Sequence, residues 1–511
     1  MRDAMMIERT VVFVLVAAAA LALCGCRKVV YFPEAPMTAA VPAGAAIKYD
    51  VDGDDEADFF AYTDSNGRVD RIAYDHSGDG KPDAMVNLDS IPFDFCRHVV
   101  IILDGFGYDV LRRYWDAGGL RLFHPPSRVI APYPTMTDPA ICDLLGCGPA
   151  PAFESEYYDR RANSLVGGSR HYLSGGNQPY SRLLQYRANT IIDAVGYVRP
   201  RAVYGRELKG LKERFDELQT KELVAYLVSS AGIGTRYGAE GQTEALRQLD
   251  RVIWQIVYET RGLVKITLMA DHGHSYTPSR RIDLEEHLTE RGWRIRKRLD
   301  GPRDVVYVRF GLETYASLSA RSPAALAADC TRCEGVELAS YADGDTVVVI
   351  GRDPNSSDPN AVGRAIIRSG EHGLVYAPAS GDPLRLGGIS ALSAEGKSLD
   401  LGAGCELSYE LETKLTREHY YPLPLTRLWR AHFALAQNVP DVILSLADGY
   451  YSGSKSFGGA VNVASTHGGL NRSNSTAFIM STAGALPPFM RSRDVPRVMT
   501  AMTGRPFPLG K

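Results

Sequence analysis

One short segment of this sequence carries the side chains of a metal site. Asp271 and His272 are adjacent, and His274 lies two residues further on. Carboxylate oxygen and imidazole nitrogen are donors that zinc commonly takes in proteins. A lone His-Gly pair such as His467-Gly468 is more often structural, whereas the adjacent Asp and His residues favour a zinc site.

These residues come directly after apolar runs that predict buried strands. The run at residues 98–103 is followed by Asp104, and the run at residues 264–270 is followed by Asp271. Residues 223–228 have a similar composition. Residues 346–350 and 442–446 also look like such strands, and apolar residues between 245 and 257 recur at helical spacing. Strands that alternate with helices predict an α/β fold with a mostly parallel sheet flanked by helices. In such a fold the site lies at the carboxyl ends of the strands.

Two threonines precede a predicted short helix. The segment at 134–139 is Pro-Thr-Met-Thr-Asp-Pro, and an apolar stretch runs from there to Gly146. Pro139 suits the start of a helix and Gly146 its end. Thr137 would then lie at a helix N-terminus, where backbone N–H groups favour an anion such as phosphate.

Taken in this order, the motifs resemble the alkaline phosphatase superfamily, and most closely its type I phosphodiesterase/nucleotide pyrophosphatase branch. The motifs are Asp104, the Thr137 segment, Asp271-His272-Gly273 and His467-Gly468. The resemblance covers residues 97–511. It implies an alkaline phosphatase-like α/β domain with a cap subdomain inserted at about 276–440.

The resemblance implies a hydrolase of phosphate esters that contains two zinc ions. Asp104, Asp271 and His272 match three ligands of one ion. Thr137 matches a nucleophile bound to that ion. A threonine hydroxyl is a poor nucleophile at neutral pH, and binding to the ion would activate it. His467 matches a ligand of the other ion. Phosphodiesters, phosphomonoesters, nucleotides and phospholipid headgroups are all compatible with this interpretation.

The second ion lacks two of the ligands that the family supplies. In the family's Asp-x-x-Gly-His-x-x-Gly segment, this chain has Ala231 for Asp and Thr235 for His. Alanine cannot coordinate a metal, and a neutral threonine is a poor zinc ligand. The chain could use one ion, with a cation such as Arg236 at the leaving group, or rebuild the site with other residues. His274 is the nearest candidate for this ligand, but it could equally support another ligand without binding the ion. It could also be a catalytically inactive binding protein at the cell envelope, but the intact first set of ligands favours the hydrolase.

An acidic segment at 49–92 contains two similar copies, 25 residues apart. Each copy begins at a tyrosine and places oxygen ligands at alternate positions around a glycine turn, as calcium loops do. The alternative is a pair of solvated acidic turns. The predicted calcium ligands are Asp50, Asp52, Asp54 and Asp58 in the first copy and Asp75, Asp79 and Asp83 in the second.

The N-terminus predicts export. Residues 11–23 are apolar but short for a membrane span, and Leu-Cys-Gly-Cys follows at 23–26. We expect a signal peptide at 1–25, lipidation of Cys26, and a tether at 26–48. These features predict a membrane-anchored bacterial lipoprotein in the periplasm or at the cell surface. Six cysteines follow Cys26, so disulfide bonds are permitted.

Composition excludes several classes of protein. The chain has 511 residues, of which 45% are hydrophobic, and only one long apolar run, so it is neither wholly disordered nor a polytopic membrane protein. Its net charge of −3 gives no basic excess for nucleic-acid binding. The resemblance implies a phosphate-ester substrate as one partner, and the N-terminal segment predicts the membrane as the other.

Overall fold

A computed structural model describes residues 30–37, 45–168, 178–189, 192, 195–353, 356, 358, 361–392 and 398–509. The predicted signal peptide and Cys26 lie outside these residues. The prediction of an α/β fold is confirmed at this level, because helices accompany several sheets. Among the described helices, none combines the length and the apolar character needed to cross a bilayer.

Residues 47–87 form a small antiparallel sheet from four strands: β1 Ile47–Tyr49, β2 Phe59–Thr63, β3 Val69–Tyr74 and β4 Ala84–Asn87. The two Asp-rich segments are the loops that join β1 to β2 and β3 to β4. Phe32, within the predicted tether, is fully buried, and its ring stacks on Trp254 at 6.1 Å. Phe59 of β2 contacts the same Trp254 ring at 6.0 Å, so the small sheet is packed against the rest of the chain.

The remaining elements follow in chain order. From 97 to 270 they are β5 Arg97–Leu103, α1 Tyr108–Asp116, β6 Ser127–Ile130, α2 Thr137–Leu144, β7 Glu156–Asp159, β8 Ser164–Gly167, β9 Tyr186–Arg187, α3 Pro200–Glu217, β10 Glu222–Leu227, α4 Ser229–Glu259 and β11 Val264–Ala270. From 280 to 380 they are β12 Arg280–Arg281, α5 Leu284–Glu290, β13 Arg294–Ile295, β14 Asp304–Val308, β15 Leu312–Glu313, β16 Tyr315–Ala320, α6 Pro323–Cys330, β17 Val336–Asp343, β18 Thr346–Arg352, β19 Val362–Ser369 and β20 Leu374–Ser380. From 390 to 503 they are β21 Ser390–Leu392, β22 Ser398–Asp400, β23 Cys405–Leu407, α7 Tyr409–Thr416, α8 Pro424–Phe433, β24 Val442–Leu446, β25 Tyr450–Gly453, α9 Lys455–Ala460, α10 Arg472–Ser475, β26 Thr476–Ser481, β27 Phe489–Arg491 and α11 Val495–Thr503. Short 3-10 helices lie at Phe93–Phe95, Ser181–Leu183, Leu401–Ala403 and Ser492–Asp494.

The main sheet has the strand order β27-β6-β26-β11-β5-β10-β9. Strand β5 pairs in parallel with β10 and β11, whereas β26 is antiparallel to both of its neighbours. Leu103, the last residue of β5, lies opposite Ala270 on one side and Leu227 on the other. The segments that begin with Asp104 and Asp271 therefore leave the sheet side by side.

A second sheet has the order β13-β14-β16-β24-β17-β18-β19-β20-β23 and is antiparallel except for the β13–β14 pair. It contains β18 and β24, which correspond to the strands predicted at 346–350 and 442–446. Their assignment to the same sheet as β5 was wrong. Apolar residues pack on both faces of this sheet around β18 and β24, so these two strands are almost continuously apolar and their sequences resemble buried parallel strands.

The predicted helix between two strands of the main sheet is confirmed as the second part of α4. The seven apolar residues that recur at helical spacing are all buried: Ala245, Leu246, Leu249, Val252, Ile253, Ile256 and Val257. The helix is broken at Gly238, which has φ 60° and ψ −150°. Glycine adopts this conformation at little cost, so a kink here separates the first turns of α4, which follow β10 in the chain, from its long second part.

No disulfide bond involves Cys96, Cys330, Cys333 or Cys405. Cys330 and Cys333 are two separate thiols in the structure. The Cys142 side chain, at the end of α2, is in hydrogen-bond contact with that of Cys147.

One buried carboxylate on α4 makes the stability of this domain depend on pH. Asp250 Oδ2 accepts hydrogen bonds from the Leu120 N–H at 2.9 Å and the Tyr114 hydroxyl at 3.2 Å, while Oδ1 is buried without a partner. Burial raises the pKa of Asp250 to about 6. The folded state therefore favours the protonated form of Asp250. This contribution to the free energy of unfolding is fully present below about pH 4 and is lost as the pH rises through 6.

We predict that Asp250→Asn gains stability relative to the wild type as the pH rises from 4 to 7, by up to roughly 3 kcal/mol. Asparagine keeps an oxygen acceptor for Leu120 and Tyr114 but never carries a charge. Urea unfolding of both proteins at pH 4 and pH 7 measures the difference. An equal difference at the two pH values would show that the pKa of Asp250 is the same in the folded and unfolded proteins.

Candidate metal centre

The structure brings three of the predicted ligands together at the ends of β5 and β11. One donor atom from each of Asp104, Asp271 and His272 lies within 4.8 Å of the others, and all three side chains are buried. His272 Nε2 is 3.7 Å from Asp104 Oδ1 and 3.5 Å from Asp271 Oδ2. The in-register ends of the two strands account for this arrangement.

Backbone groups fix the orientation of these ligands. Asp271 Oδ1 accepts hydrogen bonds from the N–H groups of Gly105 and His272, both at 2.9 Å, which leaves Oδ2 buried without a hydrogen-bond partner. His272 Nδ1 lies 3.0 Å from the carbonyl oxygen of Gly273. A carbonyl oxygen can only accept, so Nδ1 carries the proton and Nε2 presents a lone pair toward the two carboxylates.

Sequence reasoning missed Tyr226, whose hydroxyl donates to Asp104 Oδ2 at 2.5 Å. Tyr226 lies on β10 opposite Ile102, two residues before Asp104. Its only signal in the sequence is a polar group near the end of an otherwise apolar strand. The Tyr226 hydroxyl fixes the second oxygen of Asp104, so Oδ1 is the oxygen that faces His272.

The surroundings of the three ligands shift their pKa values. Burial raises the pKa of Asp271 to about 7 and lowers that of His272 to about 4. Burial also holds the pKa values of His274 and His467 well below 6.5, and the neighbouring imidazoles add to this effect. The imidazoles are therefore neutral at physiological pH, which is the form that binds metals.

Thr137 is the first residue of α2, as predicted, two residues before Pro139. Its Oγ1 lies 3.4 Å from Asp104 Oδ1 and 3.4 Å from His272 Nε2. No side chain caps the helix from the N-cap residue Met136. The competing hydroxyl of Thr135 instead accepts a hydrogen bond from the Gly468 N–H at 2.8 Å, so Thr135 joins two loops of the site.

His467 lies next to this group. Its ring stacks on that of His272 with centroids 4.0 Å apart, and its Nδ1 lies 3.0 Å from the carbonyl oxygen of Thr135. His274 is fully buried, with its ring centroid 5.3 Å from that of His467. The five predicted residues, which come from four segments of the chain, thus converge with His274 on one region.

The departures at Ala231 and Thr235 lie in the first turns of α4. Both residues are buried, and the carbonyl oxygen of Thr235 accepts hydrogen bonds from the N–H groups of Ala464 and Ser465. The guanidinium of Arg236 donates to the carbonyl oxygen of Val198. This turn therefore holds the segment that leads to His467 and supplies no carboxylate or imidazole.

The donor set fits a divalent cation. Two carboxylates and a neutral imidazole match the ligands of zinc and similar borderline ions. The buried Oδ2 atom of Asp271 supports this fit, because a buried acceptor without a partner destabilises the fold unless something binds it. A cation next to Oδ2 would satisfy this atom and stabilise the ionised carboxylate.

The predicted calcium loops are held mainly by backbone hydrogen bonds. Donor atoms of Asp50, Asp52 and Asp54 lie within 4.8 Å of one another. The other predicted calcium ligands accept bonds inside their own turns: Asp58 from Val51 and Asp52, Asp75 from Gly78 and Gly80, Asp79 from Ser77 and Lys81, and Asp83 from His76 and Ser77. Such bonds form in solvated turns as well, so calcium binding stays a prediction.

No family model matches this chain, and no curated protein matches it at a significant level. The alkaline phosphatase resemblance therefore stays a prediction that depends on the motifs.

We predict that zinc raises the thermal unfolding midpoint of the wild-type protein and that Asp271→Asn removes most of this rise. An ion at one hundred times its dissociation constant stabilises a protein by about 2.7 kcal/mol. Asparagine keeps the acceptor for Gly105 and His272 but loses the anionic oxygen that faces the cation. Differential scanning calorimetry with and without zinc measures the effect.

Asp382→Asn is the matched control, because Asp382 is also a buried carboxylate that accepts backbone N–H bonds, from Leu386 and Gly387 in a turn beyond β20. This variant should lose stability yet keep the zinc-induced rise. An undiminished rise in Asp271→Asn would place the bound zinc elsewhere.

Proposed function

We propose that this protein is a metal-dependent hydrolase of phosphate esters with Thr137 as its nucleophile. The observation that carries the proposal is the position of Thr137 Oγ1, 3.4 Å from both Asp104 Oδ1 and His272 Nε2 at the start of α2. A hydroxyl beside a set of metal ligands and at a helix N-terminus is suited to attack an anionic phosphate.

The residues of the site have two roles, which are to hold a cation and to position the nucleophile. Asp104, Asp271 and His272 would hold the ion. Its positive charge would lower the pKa of the Thr137 hydroxyl and attract the phosphate oxygens. The Tyr226 hydroxyl and the backbone N–H of Gly105 keep the two carboxylates in place. The helix start at Thr137 adds backbone N–H groups and the positive end of the helix dipole.

The proposed reaction has two displacement steps. Thr137 Oγ1 loses its proton to solvent and attacks phosphorus, and the bond from phosphorus to the leaving oxygen breaks. Water then hydrolyses the phosphothreonine and regenerates the hydroxyl. One water is consumed overall, with its hydroxyl group on phosphorus and its proton on the leaving oxygen. Phosphodiesters and phosphomonoesters both fit this scheme.

A ligand-binding protein without turnover is the second candidate. It is favoured by the buried Ala231 and Thr235, whose side chains supply neither carboxylate nor imidazole. We further propose that the protein is exported and lipid-anchored at Cys26, on the sequence of residues 1–26 alone. Residues 276–440 are proposed to form a cap over the site.

We predict that Thr137→Ala lowers the turnover of bis(p-nitrophenyl) phosphate or p-nitrophenyl phosphate at least about a thousandfold. The variant should still bind as much zinc as the wild type. Thr137→Ser is the matched variant, because it keeps a hydroxyl at the same position and should retain measurable turnover. Release of nitrophenolate, followed with zinc-loaded protein, gives the rates.

Equal turnover by Thr137→Ala and the wild type would remove the nucleophile role from Thr137. Zinc-loaded wild-type protein that turns over neither ester, nor a nucleotide or phospholipid-headgroup diester, would favour the binding protein instead.

A further inference from the structure

The chain that precedes the small sheet runs along α4 toward the end of that helix. The carbonyl oxygen of Phe32 accepts a hydrogen bond from the guanidinium of Arg251. One residue earlier, the Tyr31 N–H donates to Gln255 Oε1 at 3.0 Å and the Tyr31 hydroxyl donates to Glu259 Oε1 at 2.8 Å. Glu259 is the last residue of α4, so the chain toward the N-terminus leaves the helix at that end.

This position limits the distance between the folded domain and a lipid on Cys26. Cys26 precedes Val30 by four residues, and four residues span at most about 14 Å when fully extended. Residues 30–32 of the predicted tether are bound to α4 and add nothing to this reach. A bilayer that holds the acyl chains of Cys26 therefore lies close to the end of α4.

The end of α4 lies at the edge of the main sheet opposite to the metal centre. The helix follows the carboxyl end of β10 and leads to Val264, the first residue of β11. Asp104 and Asp271 come after the carboxyl ends of β5 and β11, whereas α4 ends where these strands begin, at the amino-terminal edge. Strand β5 has seven residues, so the two edges are roughly 20 Å apart at about 3.3 Å per residue.

Three adjacent strands each have an exposed apolar side chain at this amino-terminal edge. Phe95, two residues before β5, is 74% exposed, and Leu263, directly before β11, is 49% exposed. Leu509 is 40% exposed, and its N–H donates to Oε1 of Glu222, the first residue of β10, at 2.7 Å. Single exposed apolar residues are common, but a row of them beside a lipid anchor indicates contact with a bilayer.

The charges on this edge are mixed. Lys221 and Arg261 are exposed there, and so is Asp94, whose carbonyl oxygen accepts a hydrogen bond from Lys221 Nζ at 2.8 Å. Lysine and arginine at the boundary of an apolar surface can reach lipid phosphates. The apolar side chains, rather than the net charge, therefore favour contact with the bilayer.

We propose that the amino-terminal edge of the main sheet lies on the bilayer that holds Cys26, with Phe95, Leu263 and Leu509 in contact with lipid. The metal centre then faces away from that bilayer, and the substrate is a water-soluble phosphate ester, not a phospholipid of the anchoring membrane. This inference rests on the proposed function for the lipidation of Cys26 and for the class of reaction, but contact between this edge and the bilayer does not depend on turnover.

The orientation is tested by tryptophan fluorescence of the mature lipidated protein in vesicles of phosphatidylcholine and phosphatidylglycerol in equal parts. Brominated phosphatidylcholine quenches a tryptophan that contacts the acyl chains. We expect it to quench the emission that Phe95→Trp adds to that of the wild type. Leu263→Trp should give the same loss from the neighbouring strand, and it covers the case in which Phe95→Trp does not fold.

Tyr237→Trp is the matched control, because Tyr237 is also an exposed aromatic residue and lies on α4. It precedes Glu259 by 22 residues, roughly 30 Å along a helix, on the side of the metal centre. Its added emission should not be quenched. Unquenched emission from both edge variants, or equal quenching of Tyr237→Trp, would overturn the proposal, and so would an intact mass that shows no acyl chain on Cys26.

The substrate class is tested in the same vesicles with zinc-loaded wild-type protein. The protein should turn over bis(p-nitrophenyl) phosphate at the same rate in vesicles and in detergent, and it should release no headgroup from the vesicle lipids. Headgroup release from these lipids would overturn the assignment of a soluble substrate.

The outcomes separate this inference from the proposed hydrolase. Quenching of Phe95→Trp in a protein without any turnover would refute the hydrolase and leave the orientation standing. Turnover of the soluble ester by a protein whose edge variants are not quenched would refute the orientation alone.

Discussion

The site depends on the register between two parallel strands. Leu103 and Ala270 lie opposite each other at the ends of β5 and β11, and the next residue on each strand is an aspartate. A shift by one residue would turn the side chains of one strand to the opposite face of the sheet. The apolar side chains of β5 and β11 are buried on both sides, which sets the register strongly and so places Asp104 beside Asp271.

Much of this arrangement could be predicted from the sequence. Apolar runs that stop at Asp104 and Asp271 indicate both the strands and the edge at which they end, and proline with glycine marks the helix that starts at Thr137. What the sequence could not show was sheet membership. The strands β18 and β24 have the composition of buried parallel strands, but they pair in an antiparallel sheet whose two faces are both covered.

The contacts that support the metal ligands could not be predicted from the sequence either, because they join residues that are far apart in the chain. Tyr226 reaches Asp104 only because β10 and β5 are paired, and Ser465 meets His274 across a separation of 191 residues. Neither contact leaves a motif, because a single hydroxyl can occupy many positions in a chain. The metal-ligand types, by contrast, are few and cluster at strand ends, so sequence reasoning finds the ligands before the groups that orient them.

The place of β26 in the main sheet has a consequence for how the chain folds during synthesis. This strand comes from residues 476–481, yet it lies between β6 and β11, well inside the sheet. Until the ribosome has passed that point, the edge of β11 stays open, and an open apolar edge invites pairing with other chains. The nascent protein must therefore be kept from premature association while residues 271–475, between β11 and β26, are being made.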